Sequence, residues 1–455
     1  MKKARELSTT QMITLGFLAT IVLGMFLLML PVSSAEGIWT NPVDALFTAT
    51  TSVCVTGLVV VDMSSYWSIF GQIVVLLLIQ IGGLGVVTLT TSIIVFMGKK
   101  VNLKERLLLE DAYNLNTLSG LVRFMKKVLK GTMLVECIGA ICYCFVFVPR
   151  FGVIKGLWVS VFNSVSAFCN AGIDIIGPNS LMEYVAHPWI NLVTMLLIII
   201  GGIGYIVWWD VLHVAGMCRR KEIAIRKFFH RLKLHTKLVL LMTGALILIG
   251  ALTVLALEYS NPQTLGNLSL WGKIQAAFFQ SVTLRTAGFA TIPQQGLLDA
   301  TSLVCMLLMF IGGSPVGTAG GIKTTTVAVL LISALSVAKG KEEVTVFRRT
   351  IARETVQKAL AVTTFSLIVV ILAVMTLLTL EQGSFMEITY ETISAIGTVG
   401  LSRNFTTSLD AAGRVVISLC MYLGRVGPIS MMIAFTYKRG KNMLVTYAKE
   451  DVTVG

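Results

Sequence analysis

Four short stretches of this 455-residue chain hold the residues whose type and spacing could do chemistry: TSVCVTGL around Gly57, SAFCNAGI around Gly172, TLRTAGF around Gly288 and SAIGTVGL around Gly400. Each places a glycine before an apolar residue. Glycine reaches backbone angles closed to other residues, so a strip of this kind can leave its carbonyl oxygens free to bind something. Four strips around one axis could replace the hydration shell of a cation with backbone carbonyls, which a single strip could not do. The glycines are 115, 116 and 112 residues apart, and ten residues before each stands an aromatic: Phe47, Phe162, Phe278 and Tyr390. A fixed period of this kind marks a repeated structural unit.

The elements that must position these strips follow from composition. Hydrophobic residues make up 55% and charged residues 13%, and the mean hydropathy is +0.82, which places the chain among integral membrane proteins. The charge-free run Gln11 to Ala35 is about one bilayer crossing long and reads as a retained helix, since no cleavage site of signal-peptide type follows its apolar part. Further apolar runs lie near 66–97, 131–149, 188–209, 238–257, 301–338, 359–380 and 413–437, which predicts eight crossings. Between successive pairs of crossings lie short apolar runs of about ten residues, such as Pro42 to Thr51, that reach only halfway through the hydrocarbon and must enter and return. Irregular backbone at that depth survives only when buried in protein or lining water. Four such loops around one axis meet that condition by enclosing a pore, with the half-helix C-termini turning their negative ends to the cavity.

The net charge of +14 raises nucleic acid as a partner, and the placement of the basic residues decides against it. Twenty-nine of the 37 Lys and Arg fall before residue 10, in 98–130, 213–237 and 339–358, and after 437. Those segments share one side if eight helices alternate, so the positive-inside rule puts both termini in the cytoplasm. The opposite side holds Arg150, Lys155, Lys273, Arg285, Arg403 and Arg414. The basic loops also lack the interleaved aromatics of a base-stacking platform. An enzyme would need a nucleophile with its base, or a metal cluster, at bilayer depth, and neither is visible. The eight cysteines form no CxxC pair, and the histidines have no metal-ligand spacing. Glu136, inside an apolar run, reads either as a functional intramembrane acid or as half of a structural ion pair.

With these strips, and with AGGIKTTT and YLGRVGP further along, the chain resembles the Trk/Ktr/HKT superfamily of cation transporters, most nearly the membrane subunit of bacterial Ktr potassium uptake systems. The resemblance covers almost the whole chain. It implies an all-α integral membrane protein of four M1-P-M2 repeats, with eight transmembrane helices and four re-entrant pore half-helices around a pseudo-fourfold pore. The repeats would span 1–98, 99–213, 214–339 and 340–455, the last with a C-terminal tail. It further implies potassium uptake across a bacterial plasma membrane, a homodimer, and a cytosolic ring of nucleotide-binding regulatory subunits. This chain itself shows no nucleotide site, so ATP or ADP would sit on the partner. All four glycines being present favours potassium over sodium on the same grounds. The competing readings are a sodium-conducting or weakly selective cation pore and, further off, a secondary transporter with broken helices near the midplane.

On this reading the selectivity filter comprises Cys54, Val55, Thr56 and Gly57; Cys169, Asn170, Ala171 and Gly172; Arg285, Thr286, Ala287 and Gly288; and Gly397, Thr398, Val399 and Gly400. Potassium is the only metal implied, as cargo. Cys54 and Cys169 depart from the Ser, Thr or Asn more usual in the family. Arg285 would repel potassium if it faced the path, so its head is expected behind the filter, bonded to carbonyls or to an acid such as Glu391.

A second recurring feature, IGGLG at 81–85, IGGIG at 200–204, IGGSP at 311–315 and LGRVG at 423–427, reads as close packing or bending of the inner helices. The stretch FIGGSPVGTAGGIKTTTVAV, 310–329, cannot be continuous lipid-facing helix, because glycines, a proline and hydroxyl residues interrupt it. By resemblance it is an intramembrane gate, spanning 312–326, with Gly312, Gly313, Ser314, Pro315, Gly317, Thr318, Gly320, Gly321 and Lys323 on the loop. Arg425, a costly charge in the last crossing, aligns with Gly313 and is expected to hold the loop. Cutting part of 313–321, or removing Arg425, should then raise flux while leaving the ion preference largely unchanged.

Overall fold

The computed structural model describes residues 8–86, 88, 91, 121–341 and 343–427. Helix α1 (Thr9–Met29) starts at a capping box in which Ser8 and Gln11 satisfy each other's backbone amides. At 1.5 Å per residue its 21 residues span about 30 Å, one hydrocarbon thickness. Three further helices are long and apolar enough to cross a membrane: α4 (Leu121–Phe151), α8 (Leu234–Glu258) and α12 (Arg353–Leu380). Each leaves large apolar side chains exposed, among them Leu23, Phe26, Ile141, Leu252 and Ile371. Exposed apolar bands of this length belong in lipid.

After each of these helices comes a shorter one that stops at a glycine strip: α2 (Pro42–Cys54), α5 (Val153–Cys169), α9 (Leu270–Thr283) and α13 (Phe385–Gly397). Local sequence explains three of the starts. Asn41 caps α2 ahead of Pro42, Ser269 caps α9, and Ser384 with Glu387 forms a capping box on α13. Phe47, Phe162 and Tyr390 are fully buried, whereas in the third short helix Phe279 is buried and Phe278 only partly so.

The inner elements are α3 (Ile69–Leu84), the pair α6 (Pro188–Gly202) and α7 (Tyr205–Arg219), the pair α10 (Asp299–Phe310) and α11 (Thr324–Ala338), and α14 (Ala411–Val426). The run 188–209, predicted as one crossing, bends by 99° between α6 and α7. Gly204 makes the turn at φ 89°, and a Cβ there would overlap the Pro315 carbonyl. A loop from elsewhere in the chain therefore occupies the place where the helix would have continued. The interruption of 301–338 is as expected, although the loop closes earlier: Thr324–Thr326 are the first turn of α11. Among the described residues the only strands are a hairpin, β1 (Thr345–Val346) and β2 (Arg349–Thr350).

The packing order is cyclic. Helix α3 lies on α5, α6 on α9, α10 on α13, and α14 returns to α2. Part of the second predicted crossing, the basic segment from 98 to 120 and the chain from 428 onward lie outside the described residues.

Candidate functional site

The four strips share one backbone conformation at two positions. Two residues before each glycine the chain is left-handed, at Val55 (φ 56°), Asn170 (59°), Thr286 (64°) and Thr398 (50°). The glycines follow at φ 98°, 64°, 83° and 95°. Three of the four left-handed residues are β-branched, for which this region is sterically costly, so the surrounding fold must hold the strain. Part of the restraint comes from hydroxyls six residues before the glycine. Thr51 Oγ1 accepts from Gly57 N at 2.9 Å, Ser394 Oγ from Gly400 N at 3.0 Å, and Ser166 Oγ from Ile173 N at 3.1 Å. The third strip differs: α9 ends five residues before Gly288, and Thr283 Oγ1 donates to the Phe289 carbonyl at 2.7 Å. A hydroxyl stands at this offset in three of the four strips, a signal that the sequence carries but that only the fold identifies as a tether.

The glycines close a ring. A Cβ on Gly57 would sit 2.5 Å from the Ala171 carbonyl oxygen and 3.3 Å from Gly172 Cα. On Gly172 it would overlap the Ala287 oxygen and come 2.7 Å from Gly288 Cα; on Gly288 it would overlap the Val399 oxygen and come 3.4 Å from Gly400 Cα. On Gly400 it would meet the Thr56 oxygen, with Gly57 Cα at 2.8 Å. Each strip therefore abuts the next, and the fourth abuts the first. Thr56, Thr286 and Thr398 bury hydroxyls that have no hydrogen-bond partner among the described residues, and buried polar atoms of that kind call for an explanation.

Over the ring opens a cavity of about 310 Å³, lined by all four glycines together with Asp62, Asp174, Gln294, Ser402 and Asn404. Sequence reasoning passed over both acids. Burial pushes the Asp62 carboxyl up, but hydrogen bonds from Ser65 and Ser64 outweigh it and hold the group below its ordinary value. Burial raises Asp174 to about 6, a shift that hydrogen bonds from Ser180 and Ile176 N reduce and the nearby Asp62 carboxylate adds to.

The loop between Phe310 and Thr324 is pinned from several sides. Its neck is closed by Gly312 N to the Ile322 carbonyl at 2.9 Å and by Ser314 Oγ with Thr324 Oγ1 at 2.8 Å. Ser314 N and Thr318 N donate to the carbonyls of Gly202 and Gly201, and Tyr205 N donates to the Val316 carbonyl. Arg425 donates through Nη1 to the Thr318 carbonyl and through Nη2 to the Gly82 carbonyl, so one guanidinium joins α14, the loop and α3. Lys323 donates to the Ala319 carbonyl at 2.7 Å and turns back onto its own loop.

The structure bears on two charged groups whose partners the sequence left open. Arg285 is buried, but Glu391 does not meet it: that carboxylate accepts from Ser402 at 2.6 Å and from Thr406. Arg285 instead borders a small void with Ile198, Ile199, Gly202 and Val282. Glu136 has no basic partner among the described residues and accepts from Gln80 Nε2 at 3.2 Å. The remaining basic residues predicted on the outer side are mostly engaged: Arg150 with Glu183, Arg414 with Asp44, Arg403 with Ser302, and Lys273 with the Tyr259 carbonyl.

Long apolar helices around a closed ring of backbone strips define the class of the protein: a helical membrane protein. The family model described as TrkH, a cation transport protein, matches residues 5–447, and the chain belongs to that family. It is 41% identical to the Ktr system potassium uptake protein B of Bacillus subtilis, over 98% of this chain and 96% of that one. It is 38% identical to the potassium/sodium uptake protein NtpJ of Enterococcus hirae, over 99% and 98%. The crystal structure of the potassium transporter TrkH from Vibrio parahaemolyticus superposes with a TM-score of 0.74 at 15% identity, over 96% of this chain and 86% of that one, so the fold is shared.

Proposed function

We propose that this chain carries potassium into the cell through the ring of four strips, and that the loop between α10 and α11 gates the path. The observation that carries the reading is the cyclic closure of Gly57, Gly172, Gly288 and Gly400, each with its neighbour's carbonyl against it. Carbonyls of Val55, Thr56, Asn170, Ala171, Thr286, Ala287, Thr398 and Val399 are the proposed ligands, which is why side-chain identity varies between strips. The orphan hydroxyls of Thr56, Thr286 and Thr398 fit a path where a cation or its water supplies the missing partner. On this reading the chain is four M1-P-M2 repeats, 1–98, 99–213, 214–339 and 340–455. The same reading places both termini in the cytoplasm.

The loop suits a gate because it is backbone-rich, held by exchangeable hydrogen bonds, and clamped by one charged side chain. When Arg425 holds the Thr318 carbonyl the loop is fixed across the space below the ring; when that contact breaks it is free to leave. The partner proposed for this control is a cytosolic ring of nucleotide-binding regulatory subunits, a reading supported by the "Ktr system" name of the Bacillus subtilis relative, with the chain itself a homodimer. The second reading, a pore that also admits sodium, is favoured by the potassium/sodium name of the Enterococcus hirae relative.

Uptake of rubidium, potassium and sodium into liposomes holding the purified chain separates the two. Gly57→Ser and Gly400→Ser should each lower the potassium-to-sodium ratio about tenfold or more, because the added group pushes on the next strip's carbonyl and a 1.4 kcal/mol loss of discrimination is already tenfold. Folded variants with the parent's ratio would overturn the filter assignment.

A further inference from the structure

We propose that the Asn170 side chain couples the gate loop to the selectivity strips, so that opening the gate loosens the ring. The proposal rests on the filter and gate reading above and adds a specificity-determining residue to it. Asn170 is 1% exposed and stands at the left-handed position of the second strip. Its carboxamide works in both directions. Oδ1 accepts from Thr318 Oγ1 at 3.3 Å, on the gate loop, and Nδ2 donates to the Arg285 carbonyl at 3.5 Å, on the third strip. The Thr318 hydroxyl also reaches the Phe168 carbonyl at 3.1 Å, at the end of α5. The one hydroxyl proton of Thr318 is shared between these two acceptors of the second strip, and through Asn170 the contact reaches the third.

None of the other strips reproduces this arrangement. The equivalent residues are Val55, which has no polar side chain, and Thr286 and Thr398, whose hydroxyls have no partner among the described residues. The surroundings are shaped around the carboxamide: a Cβ on Gly201 would come 3.0 Å from Asn170 Oδ1 and 2.8 Å from Thr318 Oγ1, and a Cβ on Gly202 would come 3.4 Å from Asn170 Nδ2. The glycine pair of α6 therefore leaves room for a side-chain tie as well as for close helix packing. Thr318 is in turn the residue whose carbonyl Arg425 holds. A displacement of the loop that breaks the Arg425 contact moves the Thr318 hydroxyl with it, and Asn170 loses the bond that orients its amide toward the third strip. Gate and filter are then one mechanical unit, and ion preference depends on the state of the gate.

The test measures rubidium flux and the potassium-to-sodium uptake ratio in liposomes for Asn170→Gly, Thr318→Val, the double variant and Gly57→Ser. Glycine keeps the left-handed backbone without strain, and valine keeps the branched shape of threonine without the hydroxyl. Each single variant should lower the ratio about three- to tenfold, the range that one buried hydrogen bond covers. The double variant should fall no further than the worse single one, because both remove the same tie. Asn170→Asp, which keeps the acceptor for Thr318 and loses the donor to the Arg285 carbonyl, should lower the ratio as well. If Thr318→Val and Asn170→Asp hold the parent ratio while Gly57→Ser loses it, the coupling is wrong and the filter stands. If Gly57→Ser also holds the ratio, the underlying reading fails first. Should Asn170→Gly fail to insert, Thr318→Val and Asn170→Asp decide the question alone, and additive losses in the double variant would refute a shared tie.

Discussion

The glycines Gly82 of α3, Gly201 of α6 and Gly424 of α14 each lie against a half-helix carbonyl, those of Val53, Phe168 and Ile396, four residues before a ring glycine. At the corresponding place after α10, Gly312 lies against the carbonyl of Gly320, in its own loop. Three walls of the ring are thus pressed backbone to backbone onto the elements that end in the strips. The fourth has been replaced by a segment whose closest backbone contact is within itself; it also lies against α6 at Gly204 and Gly201 and against the fourth strip at Thr398, and hydrogen bonds tie it to α6, the second strip and Arg425 of α14. The three walls carry their closest contact on the half-helices that end in the strips, whereas the loop carries its closest one on itself and can exchange its outside hydrogen bonds for others at little net cost. The contrast shows how one chain can keep a rigid ring and still include a part that moves.

The hardest break of this contrast is to overfill a fixed wall. Gly424→Val places a side chain onto the Ile396 carbonyl and should cost well beyond the roughly 1–3 kcal/mol of ordinary overpacking, giving little monodisperse protein in detergent. Gly244→Ala, where a Cβ meets nothing within 4 Å, is the matched control and should be recovered at the parent level. Equal recovery of the two would mean that the walls are not held as described.

Next comes the movable wall. Arg425→Ala removes two hydrogen bonds from a charged donor, each worth about 1.5–3 kcal/mol against a buried acceptor. Even a fraction of that, about 1.4 kcal/mol, shifts a two-state population tenfold. Rubidium flux at matched protein density should rise about tenfold and depend less on any regulatory partner. Flux at or below the parent's would mean that Arg425 does not hold the loop closed. The ion ratio of the same variant then decides whether gate and filter are independent, as the sequence implied, or linked through Asn170.

The smallest effect is expected at the mouth. Asp174 has its carboxyl raised from 3.8 to about 6 by burial. A raised carboxyl binds its proton more tightly in the folded protein, so the associated stability is present at low pH and is lost as pH rises through about 6. Asp174→Asn should therefore stabilise the protein above pH 6 by up to about 3 kcal/mol, from a shift of about two units at 1.36 kcal/mol each, read as a higher melting temperature at pH 8 than at pH 4 relative to the parent. On transport, the mouth loses a negative charge as external pH falls through about 6, so the parent's KM for rubidium should rise a few-fold and its maximal rate should hold. The asparagine variant should show the higher KM at every pH.

Much of this was legible in the chain. The four glycine strips, the apolar runs and the broken stretch at 310–329 are patterns of composition and period, and a bilayer leaves few ways of satisfying them, because exposed backbone cannot persist in hydrocarbon. The same holds for Arg425, whose charge in an apolar run calls for a partner. What the sequence could not supply was the identity of those partners. That Arg425 joins Thr318 to Gly82, that Glu391 serves Ser402 and Thr406 rather than Arg285, and that the α6–α7 run bends where Pro315 intrudes all depend on residues from 11 to 343 positions apart. Local pattern records which groups need burial or a hydrogen bond. Which distant group answers that need is decided only when the chain closes on itself, since a carbonyl from any segment satisfies a guanidinium equally well and packing alone selects the one that arrives.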